Sequence, residues 1–151
     1  ERFSFDPLYV VPCGIQPHKG ELELAPQARL NLTAAAILGI SGAVVSDFEV
    51  GTRENAQPSY SLNTIKHFKD AHPDQPVFFI LGEDAFAKIE SWHGFPEVLS
   101  ACGFIVVGRK GAGASEKARA LARAHTNADV GFVDLDLPAI SASDIRARRK
   151  I

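Results

Sequence analysis

The chain is expected to fold as an α/β protein, a parallel sheet flanked by helices, and three observations carry that expectation. Short apolar strand-like runs alternate with helix-patterned segments along its whole length. Val77-Phe78-Phe79-Ile80-Leu81 is a continuous apolar run, the pattern of a strand buried on both faces. No repeat, low-complexity tract or linker interrupts the alternation within 151 residues, so residues 1–151 read as a single domain.

The elements follow in order. Leu8 to Val11 is a strand ending at Pro12, and a Gly/Pro loop runs from Cys13 to Gly20. Gln27 to Leu38, rich in Ala and Leu, reads as a helix. Ala43 to Phe48 is the next strand, and a polar loop spans Gly51 to Pro58. Ser59 to His72 carries Leu62, Ile65, Phe68 and Ala71 at near-helical spacing. After the strand at 77–81 come short helices at Ala85 to Glu90 and Pro96 to Ala101, then a strand at Phe104 to Val107. Ser115 to His125 is a helix, Gly131 to Leu135 a strand, and Asp144 to Lys150 a short basic helix.

Composition narrows the function. Hydrophobic content of 46% and charged content of 23% are ordinary for a globular protein, and the net charge of −2 gives no broad nucleic-acid footprint. Any anion site must be local. No apolar run reaches the length of a membrane span, and no signal-peptide pattern opens the chain. Cys13 and Cys102 lack a metal-like spacing, so free thiols in a reducing cytoplasm are expected. The absence of methionine and the opening Glu-Arg-Phe predict a protein that continues beyond this sequence.

In parallel sheets of this kind ligands sit beyond the carboxyl ends of the strands, so the loops placed there are the ones to inspect. The segment Ile140-Ser141-Ala142-Ser143-Asp144-Ile145-Arg146 opens a helix with two hydroxyls and an arginine, equipment for holding a phosphate. Ordinary helix capping by Ser and Asp is the plainer explanation of the same residues. Lys19, in the stiff loop after the first strand, offers a mobile point charge, or it is merely solvated. Ser59-Tyr60-Ser61-Leu62-Asn63-Thr64 opens a helix with hydroxyls that could accept a carboxylate or phosphate, though capping explains them nearly as well. Gly82-Glu83-Asp84 follows the apolar strand; an acid there either complements the helix dipole or accepts from ribose hydroxyls. Trp92, the one tryptophan, can stack on an aromatic ring or fill a half-buried site, and His93 reads as structural. Gly108-Arg109-Lys110-Gly111 is a basic turn that contacts polyphosphate or water. Each signal is weak alone, and their shared position raises their weight.

In this order the segments resemble the bacterial-type nicotinate-nucleotide adenylyltransferases of the nucleotidyltransferase superfamily. The similar pieces are PCGIQPHK at 12–19, APQARL at 25–30, SYSLNT at 59–64, LGEDAFAKIESW at 81–92, VVGRKG at 106–111 and ISASDIR at 140–146. The resemblance implies the Rossmann-like nucleotidyltransferase fold and transfer of the adenylyl group of ATP to nicotinate mononucleotide. It implies that Ser141, Ser143 and Arg146 hold ATP phosphates and that Lys19 sits near the reacting phosphates. It places Gly82 and Asp84 along the nucleotide site with Arg109 beside it. Tyr60, Ser61 and Thr64 would bind the nicotinate moiety, and Trp92 would stack on the pyridine ring. Mg²⁺, bound through the ATP phosphates, is the implied cofactor. ATP and nicotinate mononucleotide are the implied partners, without nucleic acid or membrane, and a homo-oligomer is compatible with this.

Departures from the family pattern are specific. The G-x-F-x-P-x-H-x-x-H loop that follows the family's first strand is not in this sequence; Ser4-Phe5-Asp6-Pro7 echoes part of it without the His-x-x-His. The better alignment makes Phe5 to Pro12 the lead into the second strand, so the first strand, that loop and most of the first helix are expected to lie outside these residues. Ser61, Asn63 and Ala142 differ from the residues usual at their positions. The rival readings are an adenylyl- or cytidylyltransferase for another phosphorylated acceptor and a nucleotide-binding protein without catalysis. A redox Rossmann domain ranks last, because no G-x-G-x-x-G follows a strand.

Overall fold

The computed structural model describes residues 5–15, 24–51, 58–109 and 115–136, with 138, 140, 145 and 147; at 109 and 115 it describes the backbone alone. The chain forms two compact units, Glu1–Ala71 and His72–Ile151.

The first unit contains β1 (Leu8–Val10), α1 (Pro26–Ala36), β2 (Ala43–Val45) and α2 (Ser61–Ala71). β1 and β2 pair in parallel with Leu8 opposite Ala43 and Val10 opposite Val45. Bonds from Leu8 N to Gly42 O (2.7 Å) and from Ser46 N to Val10 O (3.0 Å) extend the ladder at both ends. Pro26 opens α1, where a missing N–H costs nothing because the first-turn donors have no helical partner. The turn between α1 and β2 requires positive φ, which Gly39 (87°) and Gly42 (76°) supply without a Cβ penalty. α2 turns Leu62, Thr64 and Ile65 inward, and Phe68 brings its ring 4.4 Å from that of Tyr9.

β2 stops three residues short of the strand expected to Phe48. The Ser46 hydroxyl accepts from Phe48 N at 3.3 Å, and the Asp47 carbonyl accepts from Val50 N and Gly51 N. These local bonds give the backbone a turn in place of a ladder, the competition that short polar side chains offer.

The second unit contains β3 (Phe78–Gly82), α3 (Glu83–Phe86), a 3₁₀ turn (Ile89–Ser91), α4 (Glu97–Ala101), β4 (Gly103–Arg109), α5 (Ser115–Ala124) and β5 (Val130–Leu135). Its three strands run parallel in the order β3-β4-β5. Such a sheet needs helical crossovers, and the sequence supplies one between each pair of neighbours. The core gathers Phe86, Ile89, Val98, Phe104, Val106 and Ala118, all 0–1% exposed. The Phe86 ring lies 6.0 Å from that of Phe104 and 6.2 Å from that of Phe132, edge-on to the latter. Fully burying one such phenyl contributes about 1.5–3 kcal/mol.

The structure corrects the reading of 77–81 as buried on both faces. Leu81 is buried, but Phe78 and Ile80 on the other face are 38% and 42% exposed. Among the described residues β3 pairs only with β4, which puts it at the edge of the three-stranded sheet. The single helix expected at Ala85 to Glu90 is split. α3 starts two residues earlier, where Glu83 and Asp84 complement the helix dipole. The chain then tightens into i→i+3 bonds, with Lys88 N to Ala85 O at 3.1 Å and Ser91 N to Lys88 O at 2.9 Å. The basic helix expected at 144–150 lies mostly outside the described residues; Ile145 and Ala147 are helical.

Candidate nucleotide site

In the first unit the loop after β1 is tied to the start of α2. Gly14 N donates to Ser59 Oγ at 3.2 Å, and Ser59 N donates back to Ile15 O at 2.8 Å. Gly14 is buried, and a Cβ there would run into the Glu49 carbonyl oxygen. A side chain is excluded because two backbones meet. Ser59 leads into Tyr60 and Ser61, both half-buried at the helix start. Tyr60 O accepts from Asn63 N at 2.9 Å, which fixes that start.

Thr64, grouped with Tyr60 and Ser61 from the sequence, occupies a different setting. It is 6% exposed, and its hydroxyl donates to Glu49 Oε1 at 2.6 Å. A bond to a carboxylate is worth about 1.5–3 kcal/mol, so this hydroxyl is committed to packing α2 against the turn at 46–51. Glu49 also faces Cys13, whose thiol bonds to the side chains of Ser59 and Glu49. Burial pushes the Cys13 thiol pKa up, and the Glu49 charge adds to that against the opposing Ser59 bond and Arg29 charge.

The sign follows from the direction of that shift. A raised folded-state pKa favours the neutral thiol, so its contribution to stability is full below the unfolded value of roughly 8.5 and is lost as pH rises through the folded value. The denaturation midpoint of the parent should therefore fall more steeply than that of Cys13→Ala across roughly pH 8–10. Parallel slopes would show that the thiol titrates as it does in the unfolded chain.

In the second unit the strand register assembles one rim. Gly82 stands opposite Val107, Gly108 opposite Asp134 and Arg109 opposite Leu135. Asp84 is exposed and folds back over Gly82, so closely that a Cβ at 82 would lie 2.7 Å from its Oδ1. The structure thus brings Gly82 and Asp84 together, with the Arg109 backbone on the same edge. Trp92 ends the 3₁₀ turn, half-buried, with its ring edge-on to Phe79 at 5.9 Å. The Phe79 ring packs against the indole at a steep angle.

Glu83 is the rim residue that sequence reasoning passed over. It is 5% exposed, its main-chain oxygen accepts from Ala87 N at 2.9 Å, and its side chain makes no hydrogen bond or ion pair among the described residues. A Cβ on Gly108 would lie 2.5 Å from Glu83 Oε1 and 2.7 Å from Asp134 Oδ1, so glycine makes room for two carboxylates. Arg119 partly offsets them, 3.6 Å from Asp134 and 4.6 Å above the Phe132 ring. The signal available in the sequence was the glycine, here required by acids from neighbouring elements. Lys19, Ser141, Ser143 and Arg146 lie outside the described residues, as does the Arg109 side chain.

Comparison with known proteins gives a consistent picture. The family model described as cytidylyltransferase-like matches residues 1–148. A probable nicotinate-nucleotide adenylyltransferase of Clostridium botulinum (strain Loch Maree / Type A3) is 30% identical over 154 residues, 99% of this chain and 75% of that protein. Its counterpart in Clostridium novyi (strain NT) is 30% identical over 151 residues, 99% of this chain and 74% of the relative. Among solved structures, the Plasmodium falciparum nicotinic acid mononucleotide adenylyltransferase complexed with NaAD aligns with a TM-score of 0.72 at 20% identity, covering 93% of this chain and 68% of that one. The same enzyme complexed with APC aligns with a TM-score of 0.68 at 19% identity, covering 93% and 67%. These alignments establish the fold as a parallel α/β arrangement of the nucleotidyltransferase kind.

Proposed function

The chain belongs to the cytidylyltransferase-like family, and within it to the nicotinate-nucleotide adenylyltransferases; from that premise we propose that it joins the adenylyl group of ATP to nicotinate mononucleotide. The observation that carries this reading is the placement of LGEDAFAKIESW at the sheet rim. Asp84 lies over Gly82 where a sugar or base can be met, and Trp92 is half-buried with its ring packed against that of Phe79. The whole chain is read as one nucleotidyltransferase domain, which the family match over residues 1–148 supports.

The reaction needs no protein nucleophile. A phosphate oxygen of the mononucleotide attacks the α-phosphorus of ATP in line, the bond from that phosphorus to the bridging oxygen breaks, and pyrophosphate leaves with the electron pair. The protein's part is to position the two nucleotides and to stabilise developing charge, which can account for roughly 7–11 kcal/mol of barrier through orientation alone. Tyr60 and Ser61 bind the nicotinate end, Trp92 stacks on the pyridine ring, and Thr64 acts behind them by fixing α2 through Glu49. Lys19, Ser141, Ser143, Arg109 and Arg146 carry the phosphate contacts. Enzymes of this class use a divalent metal, and Mg²⁺ is the proposed ion. Among the described residues no three His, Cys, Asp or Glu side chains converge, and the ion is proposed to enter on the ATP phosphates. When bound it neutralises phosphate charge. No helix among the described residues is long and apolar enough to cross a membrane, and the proposed setting is the cytoplasm.

Pyrophosphate release from ATP, measured with nicotinate and with nicotinamide mononucleotide as acceptor, tests this directly. Release dependent on the mononucleotide, with a higher kcat/KM for the nicotinate form, is the expected result. Release with neither acceptor would overturn the enzyme reading. In the same assay Trp92→Ala should raise KM for the mononucleotide by about tenfold and leave that for ATP nearly unchanged, since ring stacking is worth about 0.5–1.5 kcal/mol beyond area burial. Equal effects on both substrates would remove the tryptophan from the acceptor site.

A further inference from the structure

Arg29 lies in the first turns of α1, and its hydrogen bonds go to main-chain oxygens rather than to the residues assigned above to substrate. Its guanidinium is nevertheless used on three sides. Nη1 donates to Cys13 O, Nη2 to Gly14 O at 2.8 Å and Nε to Leu24 O at 3.2 Å. The carbonyls of Cys13 and Gly14 stand at one end of residues 15–23, and that of Leu24 stands at the other. A single planar group thus holds the turn after β1 to the residues that lead into α1. The turn it holds at Cys13–Ile15 is the one bonded reciprocally to Ser59, immediately before Tyr60 and Ser61.

We propose that Arg29 is a positioning residue for the transfer reaction. It fixes the Cys13–Ile15 turn bonded to Ser59, and through it the start of α2 that presents Tyr60 and Ser61 to the nicotinate end. This inference rests on the function proposed above. The chemistry favours arginine for the task. Its five N–H donors radiate in a rigid plane and can reach three separated carbonyls, whereas a lysine ammonium is a compact charge on a flexible stem. Ordering the turn after β1 carries an entropic cost, and charge-assisted bonds from Arg29 help to offset it. Neutral carbonyl acceptors mark the role as geometric, since a group recruited only for ion pairing would face a carboxylate.

The test compares the parent protein with Arg29→Lys and Arg29→Ala by thermal unfolding, steady-state kinetics and amide hydrogen exchange. Arg29→Lys should unfold close to the parent yet lose about tenfold to a hundredfold in kcat/KM for the mononucleotide, because sub-ångström placement controls rate. Binding of a non-hydrolysable ATP analogue should change less than binding of the mononucleotide, since Tyr60 and Ser61 are assigned to the nicotinate end. Exchange at the Gly14 and Ser59 amides should quicken while that in β4 stays as in the parent. Ethylguanidinium added to Arg29→Ala should restore part of the lost rate, which a purely stabilising residue would not allow. Retention of full kcat/KM by Arg29→Lys, or an activity loss that only tracks the unfolded fraction, overturns the proposal. An inactive parent would sink the proposed reaction instead. The exchange rates at Gly14 and Ser59 then judge the clasp on their own, and unchanged rates in Arg29→Lys would overturn it.

Discussion

Arg146→Ala should lower kcat by about two to three orders of magnitude while the thermal unfolding midpoint stays within error of the parent. The size follows from the loss of one preorganised donor aimed at transition-state charge, about 2.7–4 kcal/mol. In adenylyl transfer that charge develops on the pyrophosphate oxygens as the bond to the α-phosphorus breaks. An arginine can meet two of those oxygens at once. Arg146→Lys keeps a charge and loses the fork, so it should recover part of the rate and leave the two variants ranked. Pyrophosphate release under saturating ATP and mononucleotide gives kcat directly. Near-parental turnover in Arg146→Ala would take this residue out of the reaction.

Gly14→Ala is expected to give the largest structural effect of any single methyl added to the first unit. The new Cβ would overlap the Glu49 carbonyl oxygen and lie 2.9 Å from Ser59 Oγ. The carbonyl belongs to the backbone of the turn at 46–51 and cannot rotate away as a side-chain tip would. Relief therefore requires the two backbones to separate. Separation weakens the bonds from Gly14 to Ser59 and from Ser59 to Ile15 together. Overpacking of this kind costs about 1–3 kcal/mol. Gly131→Ala is the matched control, since its Cβ would meet only the Phe104 carbonyl at 3.9 Å, an ordinary contact. Denaturant titration of both variants should show a clear fall in midpoint for the first and almost none for the second. Equal midpoints would mean that the Cys13–Ile15 turn yields freely.

Much of this was legible in the sequence because the features concerned are local. Apolar runs such as Phe104 to Val107 announce strands through β-branched composition, and Leu62, Ile65 and Phe68 announce α2 through their spacing. The parallel arrangement followed from alternation. Local bonding set the errors at element ends: Ser46 and Asp47 turned the chain out of β2, and i→i+3 bonds broke the expected helix after Phe86. The alternation of exposed Phe78 and Ile80 with Leu81 was hidden because a run of apolar residues does not reveal which face is left open.

The candidate site divided along the same line. Gly82 and Asp84 are two residues apart, and their pairing is a matter of one short turn. Trp92 could be picked out by its chemistry, but its Phe79 partner could not. Residues brought together across long stretches of chain gave no sign of it. Arg29 looks like any cation on a helix surface until its carbonyl partners at Cys13 and Gly14 are placed beside it. Thr64 looks like a surface hydroxyl until Glu49 arrives from fifteen residues away. Glu83 was overlooked for the same reason, since its neighbours Gly108 and Asp134 belong to other strands.

The pair of acids flanking Gly108 also has an electrostatic consequence for how a nucleotide can lie across that edge. Two carboxylates so close together set up a negative potential, only partly countered by Arg119. A triphosphate tail is pushed away from such a spot, whereas hydroxyls and amines are drawn to it. A nucleotide bound as proposed would turn its sugar or base towards the acids and trail its phosphates away from them.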